Sequence, residues 1–233
     1  MILSFIDSTG CDHDKCALRH TSGNRSVGIP TRLFSPNRER MPRCVLIVGE
    51  APGSQEDRSG TSWIGRTGEL LSSFLVQTHL ADHADIYLAN ACRCRPPLGK
   101  KPTVSQVRYC RRRWLLADID ILCTAYPHVV LFANGASASY AIFNRKLSAA
   151  FHCQGHRFCS LHPELPDLTT TVNPYCFCTY HPAALFTGRN PQWVEATELH
   201  WDLLARHLAG DPERALPDNI HYTLNPNPER ILP

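Results

Sequence analysis

The sequence predicts an α/β protein of three layers, α/β/α, around a central four-stranded, mostly parallel sheet. Three observations predict it. Four short apolar runs recur along the chain, each closed by Gly, Asn or His-Pro. Segments with a helical period lie between them, and strands that alternate with helices build a parallel sheet covered on both faces. The chain has 233 residues, 43% hydrophobic and 19% charged, enough apolar material for such a core.

The first run spans Arg43 to Val48 and ends at Gly49; its branched residues and short length read as a buried strand. A helical pattern follows, with Glu69, Leu70, Leu71, Phe74 and Leu75. The second strand candidate is Ile86 to Leu88, closing at Asn90. Thr103 and Gln106 then form a capping box, and Val107, Cys110, Trp114 and Leu115 fall on one helix face. The third strand, Val129 to Phe132, closes at Asn134 and Gly135 and leads into an Ala-rich helix, Ala136 to Phe143. The fourth, Tyr175 to Tyr180, closes at His181 and Pro182. An amphipathic helix from Trp193 to Leu208 turns Val194, Trp201, Leu204 and Leu208 inward. The polar stretch from Thr21 to Arg40 reads as a loop or arm, and the Pro-rich stretch from Leu161 to Pro174 as an inserted loop. One domain is expected over residues 1–210, with an extended Pro-rich tail over 211–233.

Composition excludes several classes. No apolar run is long enough to cross a bilayer. The first residues lack the basic start and apolar core of a secretory signal, so a cytoplasmic protein is expected. Aromatics at 9% and only 13 Gly argue against a disordered chain. A net charge of +3 permits a nucleic-acid partner without demanding one. Eleven cysteines stand out, because cytosolic thiols stay reduced and an odd count suits a disulfide framework poorly. Some are buried thiols packed as small hydrophobes; a subset can hold a metal or an iron–sulfur cluster.

In parallel sheets, ligands sit beyond the carboxyl ends of the strands. The unusual residues collect there. GEAPGSQED follows the first strand, with a tight Gly-Pro turn beside Glu50, Glu56 and Asp57. Read alone, it serves equally as an ordinary loop with a solvated acidic face. GTSWIGRTGELL places Trp63 between glycines, where an aromatic stacks on a flat ligand or closes a core. NACRCRPP follows the second strand, and Asn90 carries both a donor and an acceptor. TYHPAALF follows the fourth, with His181 before a proline.

Together these segments resemble the uracil-DNA glycosylase superfamily, most closely its iron–sulfur-containing family 4, from about Cys16 to about Leu208. GEAPGSQED is similar to that family's first motif and SWIGRTGELL to the following segment, where Phe is usual at the position of Trp63. NACRCRPP is similar to its Asn-x-x-x-Cys-Arg-Pro-Pro segment. TYHPAALF, with Arg189, Asn190 and Pro191 after it, is similar to its last motif.

The resemblance implies a monofunctional DNA glycosylase, acting on DNA as a monomer without a membrane. Gly49, Ala51, Gly53, Trp63 and Asn90 would bind the flipped base, with Trp63 stacking and Asn90 reading the polar edge. His181 would donate to the departing base. Glu50 would position water or stabilise the sugar cation, with Glu56 a second carboxylate candidate. Leu185 would wedge into the gap in the stack or simply pack against the last helix. Arg66, Arg95 and Arg189 would meet DNA, and Arg93, Lys100, Lys101, Arg111, Arg112 and Arg113 are further cations for phosphates, some of them only solvated surface.

A 4Fe-4S cluster is implied on Cys11, Cys16, Cys94 and Cys110. Fifteen residues separate Cys94 from Cys110, similar to the family's second pair, but four separate Cys11 from Cys16 where the family usually has two. His13 or Cys92 can substitute there. Uracil is the first expected base. Gly53 stands where an aromatic excludes five-substituted pyrimidines in other members, so a hydroxymethylated or glucosylated cytosine of phage DNA is an alternative, in antiviral defence. A non-catalytic iron–sulfur nucleic-acid-binding module and a redox or metal sensor are the other classes. No lysine stands in the motifs, so lyase chemistry through a Schiff base is not indicated.

Overall fold

The computed structural model describes residues 3, 5, 11, 16, 18, 28–34, 39–98, 100–158, 172–186 and 190–210. The tail over 211–233 and most of the insertion over 161–174 lie outside them, as do Arg189 and His13.

Six strands form one sheet: β1 (Arg32–Leu33), β2 (Arg43–Gly49), β3 (Asp85–Asn90), β4 (His128–Asn134), β5 (His156–Arg157) and β6 (Tyr175–Thr179), in the order β1-β3-β2-β4-β6-β5. The four central strands are parallel and are the four the sequence predicts. The expected strand count of four is corrected by two antiparallel edges. Each edge strand has two residues and no apolar alternation, so its pairing is set by tertiary contact and leaves no pattern to read. β1 also corrects the expected loop over Thr21 to Arg40.

The helices are α1 (Ser54–Ser59), α2 (Arg66–Gln77), α3 (Val104–Cys110), α4 (Leu116–Ala125), α5 (Ala136–Phe143), α6 (Leu147–Ala150), α7 (Pro182–Leu185) and α8 (Pro191–Ala209). A π turn, Arg111–Leu115, joins α3 to α4. The Thr103 capping box forms: its hydroxyl accepts from Gln106 N–H at 3.3 Å, and Gln106 Oε1 accepts from Thr103 N–H at 2.8 Å. No helix among the described residues is long and apolar enough to cross a membrane.

Strand alternation sorts the core into two layers. Leu46, Val48, Leu131 and Ala133 face Trp114, Ile119, Leu122 and Ile142 on one side of the sheet. Val45, Ile47, Val130 and Phe132 face Leu71, Phe74, Trp201 and Leu204 on the other. The three-layer architecture follows. Val194 does not join the core: it is 37% exposed, and the first turn of α8 lays Trp193 on Tyr180 instead, at 5.3 Å between ring centroids.

One buried ion pair ties the π-turn helix to the rest. Arg93 donates to both oxygens of Asp118 at 2.8 and 2.6 Å, and Thr31 Oγ1 donates to Asp118 at 2.6 Å. The Arg93 guanidinium also lies 5.1 Å from the Trp114 ring centroid. Arg93 is therefore an internal cation, which corrects its candidacy for phosphate. Arg111 is buried as well, while Arg112 and Arg113 are exposed. Burial pushes the Asp118 carboxyl up, against the pull of Arg93 and Thr31, so its charge depends on its partners. Arg93→Met leaves that carboxylate alone in the interior and is expected to lower unfolding stability by about 3–5 kcal/mol. Arg112→Met, on the surface, is expected to stay within about 0.5 kcal/mol. Urea unfolding followed by circular dichroism measures both.

Candidate active site

Parallel pairing aligns the carboxyl ends of the central strands. Gly49 stands opposite Asn90, and Asn134 opposite Thr179, with Val48 opposite Ala133 between them. Beyond this row lies a cavity of about 390 Å³ whose lining includes Ala51, Gly53, Glu56, Trp63, Asn90 and His181. Four separate segments of the sequence thus meet at one place.

Trp63 is 8% exposed and holds an unusual backbone, φ 59°. Its indole N–H donates to Ala89 O at 2.9 Å, fixing the ring over the end of β2. Only glycine permits this: a Cβ at Gly49 would lie 2.4 Å from Trp63 Cζ2 and 2.8 Å from Asn90 Oδ1. Gly49 is therefore the floor on which the ring and the Asn90 amide rest, and is not itself a wall. Gly53 lines the cavity without a side chain, and Ala51 adds only a methyl group.

His181 caps α7. Its Nδ1 accepts from Ala183 N–H at 3.2 Å, which leaves the hydrogen of the neutral ring on Nε2. Burial, with the charge of Lys101 nearby, pushes the imidazole down to about 4. The ring lies 6.2 Å from that of Trp63, at 26°. A flat apolar wall and a neutral N–H donor thus share the cavity.

The two carboxylates differ. Glu56 is 8% exposed, lines the cavity, and accepts from Gly65 N–H at 3.0 Å, which binds α1 to the turn carrying Trp63. Glu50 is not among the lining residues; its Oε2 accepts from Ser137 Oγ at 3.1 Å. Arg66 opens α2 at the cavity, its guanidinium 4.1 Å from the Phe186 ring centroid. Arg95 stands 4.0 Å from the buried Asp57. Leu185 is partly buried against the layer that holds Trp63 and Trp201, so packing takes up part of its side chain. Ser54, Gln55 and Thr67 also line the cavity and were not singled out from the sequence, although each lies inside a motif that was. Ser137 was missed too, although Asn134 and Gly135 mark its turn as a strand end.

Cys16, Cys94 and Cys110 lie near enough to Cys92 to act on its thiol. Cys11, Cys16, Cys92 and Cys110 are buried in one apolar cluster, with Cys94 packed against it. The Cys92 thiol donates to the Cys110 sulfur and feels Cys16 and Cys94. That bond, with help from the backbone and charge of Arg93, pulls Cys110 down toward thiolate against the effect of burial. Soft donors with thiolate character suit iron–sulfur ligation. Among the described residues no group of three or more His, Cys, Asp or Glu is arranged to hold a metal ion.

The model of the uracil DNA glycosylase superfamily matches residues 40–201. A type-4 uracil-DNA glycosylase of Pyrobaculum aerophilum is 36% identical over 74% of this chain and 78% of its own length. That of Sulfurisphaera tokodaii is 27% identical over 73% of this chain and 72% of its own. That of Thermotoga maritima is 33% identical over 45% of this chain, and the match spans about half, 52%, of the relative's own length.

The His181 assignment has a direct readout. Its pKa is lowered, so the ring is neutral at neutral pH and gains a proton only as pH falls through about 4. Nitrogen-15 NMR is expected to show the hydrogen on Nε2 and an inflection near about 4. An inflection near the ordinary 6.5 would contradict it.

Proposed function

The chain belongs to the uracil-DNA glycosylase superfamily, and we propose that it is a monofunctional glycosylase that flips uracil out of DNA and hydrolyses its N-glycosidic bond. The observation that carries this is the convergence of Trp63, Asn90 and His181 on one cavity at the strand ends.

The glycosidic bond is shielded while the base is stacked, so the nucleotide must leave the helix. Stacking on an aromatic is worth about 1–3 kcal/mol per base, which offsets part of the unstacking cost. Trp63 takes the ring face. Asn90 presents donor and acceptor to the polar edge. The bond between C1′ and N1 breaks with its electron pair leaving on the base, so negative charge spreads to the base oxygens. His181 Nε2–H donates to that charge without first needing a proton. The sugar becomes oxocarbenium-like, water adds to C1′, and the water's proton passes to a carboxylate. We assign that role to Glu50, which Ser137 holds beside the turn that backs His181; Glu56, which lines the cavity, is the second candidate. Arg66, Arg95, Arg112, Lys101 and Arg189 approach phosphates, and Leu185 fills the gap in the stack.

Cys11, Cys16, Cys94 and Cys110 would hold a 4Fe-4S cluster, with Cys92 or His13 as a substitute for Cys11. Bound there, the cluster would join the N-terminal segment to the loop after β3 and to α3, a cross-link without redox chemistry. Protein purified without oxygen is expected to contain about four iron atoms and to absorb near the blue, and Cys110→Ala to lose both. A colourless wild-type protein would overturn the cluster.

Gly53 brings no side chain to the cavity wall, which keeps a pyrimidine substituted at its fifth carbon as a second reading, although the Glu56 carboxylate lies 2.6 Å from where a Cβ would stand. Oligonucleotides carrying uracil, and DNA carrying hydroxymethylated or glucosylated cytosine, are therefore tested together, with alkali to cut abasic sites. Cleavage of uracil is expected, with His181→Ala and Glu50→Gln each losing about two to three orders of magnitude in rate. Cleavage of modified cytosine alone would move the chain to antiviral defence. Binding of DNA with no cleavage would overturn the enzyme.

A further inference from the structure

The turn between β4 and α5 touches both ends of the proposed chemistry. Gly135 has φ 92°, and its N–H donates to Thr179 O at 2.8 Å, which fixes the turn to the strand that ends before His181. A Cβ at Gly135 would lie 2.6 Å from His181 Cβ, so the bare backbone of the turn rests against the stem of the imidazole. Two residues on, the Ser137 hydroxyl donates to Glu50 Oε2 at 3.1 Å. Ser137 is 8% exposed and lies 87 positions away from Glu50 in sequence. One short turn thus sets the imidazole and the carboxylate relative to each other.

We propose that Ser137 is a positioning residue for the reaction: through its hydroxyl it fixes the Glu50 carboxylate against the same turn that backs His181. This rests on the glycosylase reading of the site. The chemical need is specific. His181 acts on the departing base and Glu50 on the water or the sugar cation, at opposite ends of one bond, so their separation must be held while the bond lengthens. A glutamate has three rotatable side-chain bonds, and among the described residues Ser137 is the hydrogen-bond partner that holds the Glu50 side chain. A hydrogen bond to an ionised group is stronger than a neutral one, so Ser137 selects one orientation and leaves Oε1 for water. Misplacing a reacting group by about 1 Å costs about a hundredfold in rate.

The test is single-turnover cleavage of uracil-containing DNA by the full chain at saturating enzyme. The variants are Ser137→Ala, Ser137→Thr, Glu50→Gln and the double Ser137→Ala/Glu50→Gln. Ser137→Ala is expected to slow cleavage about ten- to a hundredfold with DNA affinity unchanged. Ser137→Thr, which keeps the hydroxyl, is expected to recover most of the rate. In the Glu50→Gln background, Ser137→Ala is expected to add little, because its effect passes through the carboxylate. Should Ser137→Ala fail to fold by thermal unfolding, Ser137→Cys, of similar shape and a weak donor, takes its place. Equal rates for wild type and Ser137→Ala would overturn the role, as would a loss confined to DNA affinity, or an equal loss in the Glu50→Gln background. Each of these leaves the wild type cleaving, so the glycosylase reading survives. A wild type that cleaves no uracil overturns that reading, and the positioning role with it.

Discussion

The site depends on one contact, the indole of Trp63 lying across the bare end of β2. The central strand ends in glycine, and a methyl group there would overlap the ring. Around this contact the other parts take their places. The indole N–H is tied to the end of β3, the positive φ of Trp63 turns the chain back into α2, and Glu56 holds that turn to α1. The neighbouring strand ends supply Asn90 on one side and the His181 turn on the other. A substituent at Gly49 would move the ring, and with it the wall a base would rest on.

The electrostatics follow from burial. A protonated imidazole would be a stronger donor, but desolvation and Lys101 disfavour it. What remains is a neutral N–H already aimed by the Ala183 amide. Such a donor acts at neutral pH without waiting for a proton, and preorganised dipoles cost nothing to reorient as charge develops. Arg93 is withdrawn to Asp118, where it ties the loop after β3 to α4.

Much of this was legible in the sequence. The four parallel strands, the capping box at Thr103 and the helix over Ala136–Phe143 stand where run length, capping chemistry and period place them. Trp63, Asn90, Glu56 and His181 meet because parallel strands end together, which the strand-end rule anticipates. What was not legible depends on tertiary contact. β1 and β5 are too short to carry a pattern. Val194 fits the helical stripe but yields its place to Trp193, because an aromatic partner waits at Tyr180. Arg93 and the half-buried Arg95 stand in the same Cys-Arg pattern in sequence, and only the fold shows that Arg93 meets Asp118 in the interior. Ser137 sits in an Ala- and Ser-rich stretch where composition gives no hint that one hydroxyl of several faces Glu50.

The central claim is that the cavity above Trp63 receives a base withdrawn from DNA. A crystal structure with duplex DNA containing 2′-fluoro-2′-deoxyuridine tests it most directly, since the fluorine destabilises the sugar cation and preserves the bond. The account predicts the uracil ring parallel to Trp63, its polar edge on the Asn90 amide and a base oxygen on His181 Nε2. A uracil still stacked in the duplex, or seated elsewhere on the chain, would contradict it.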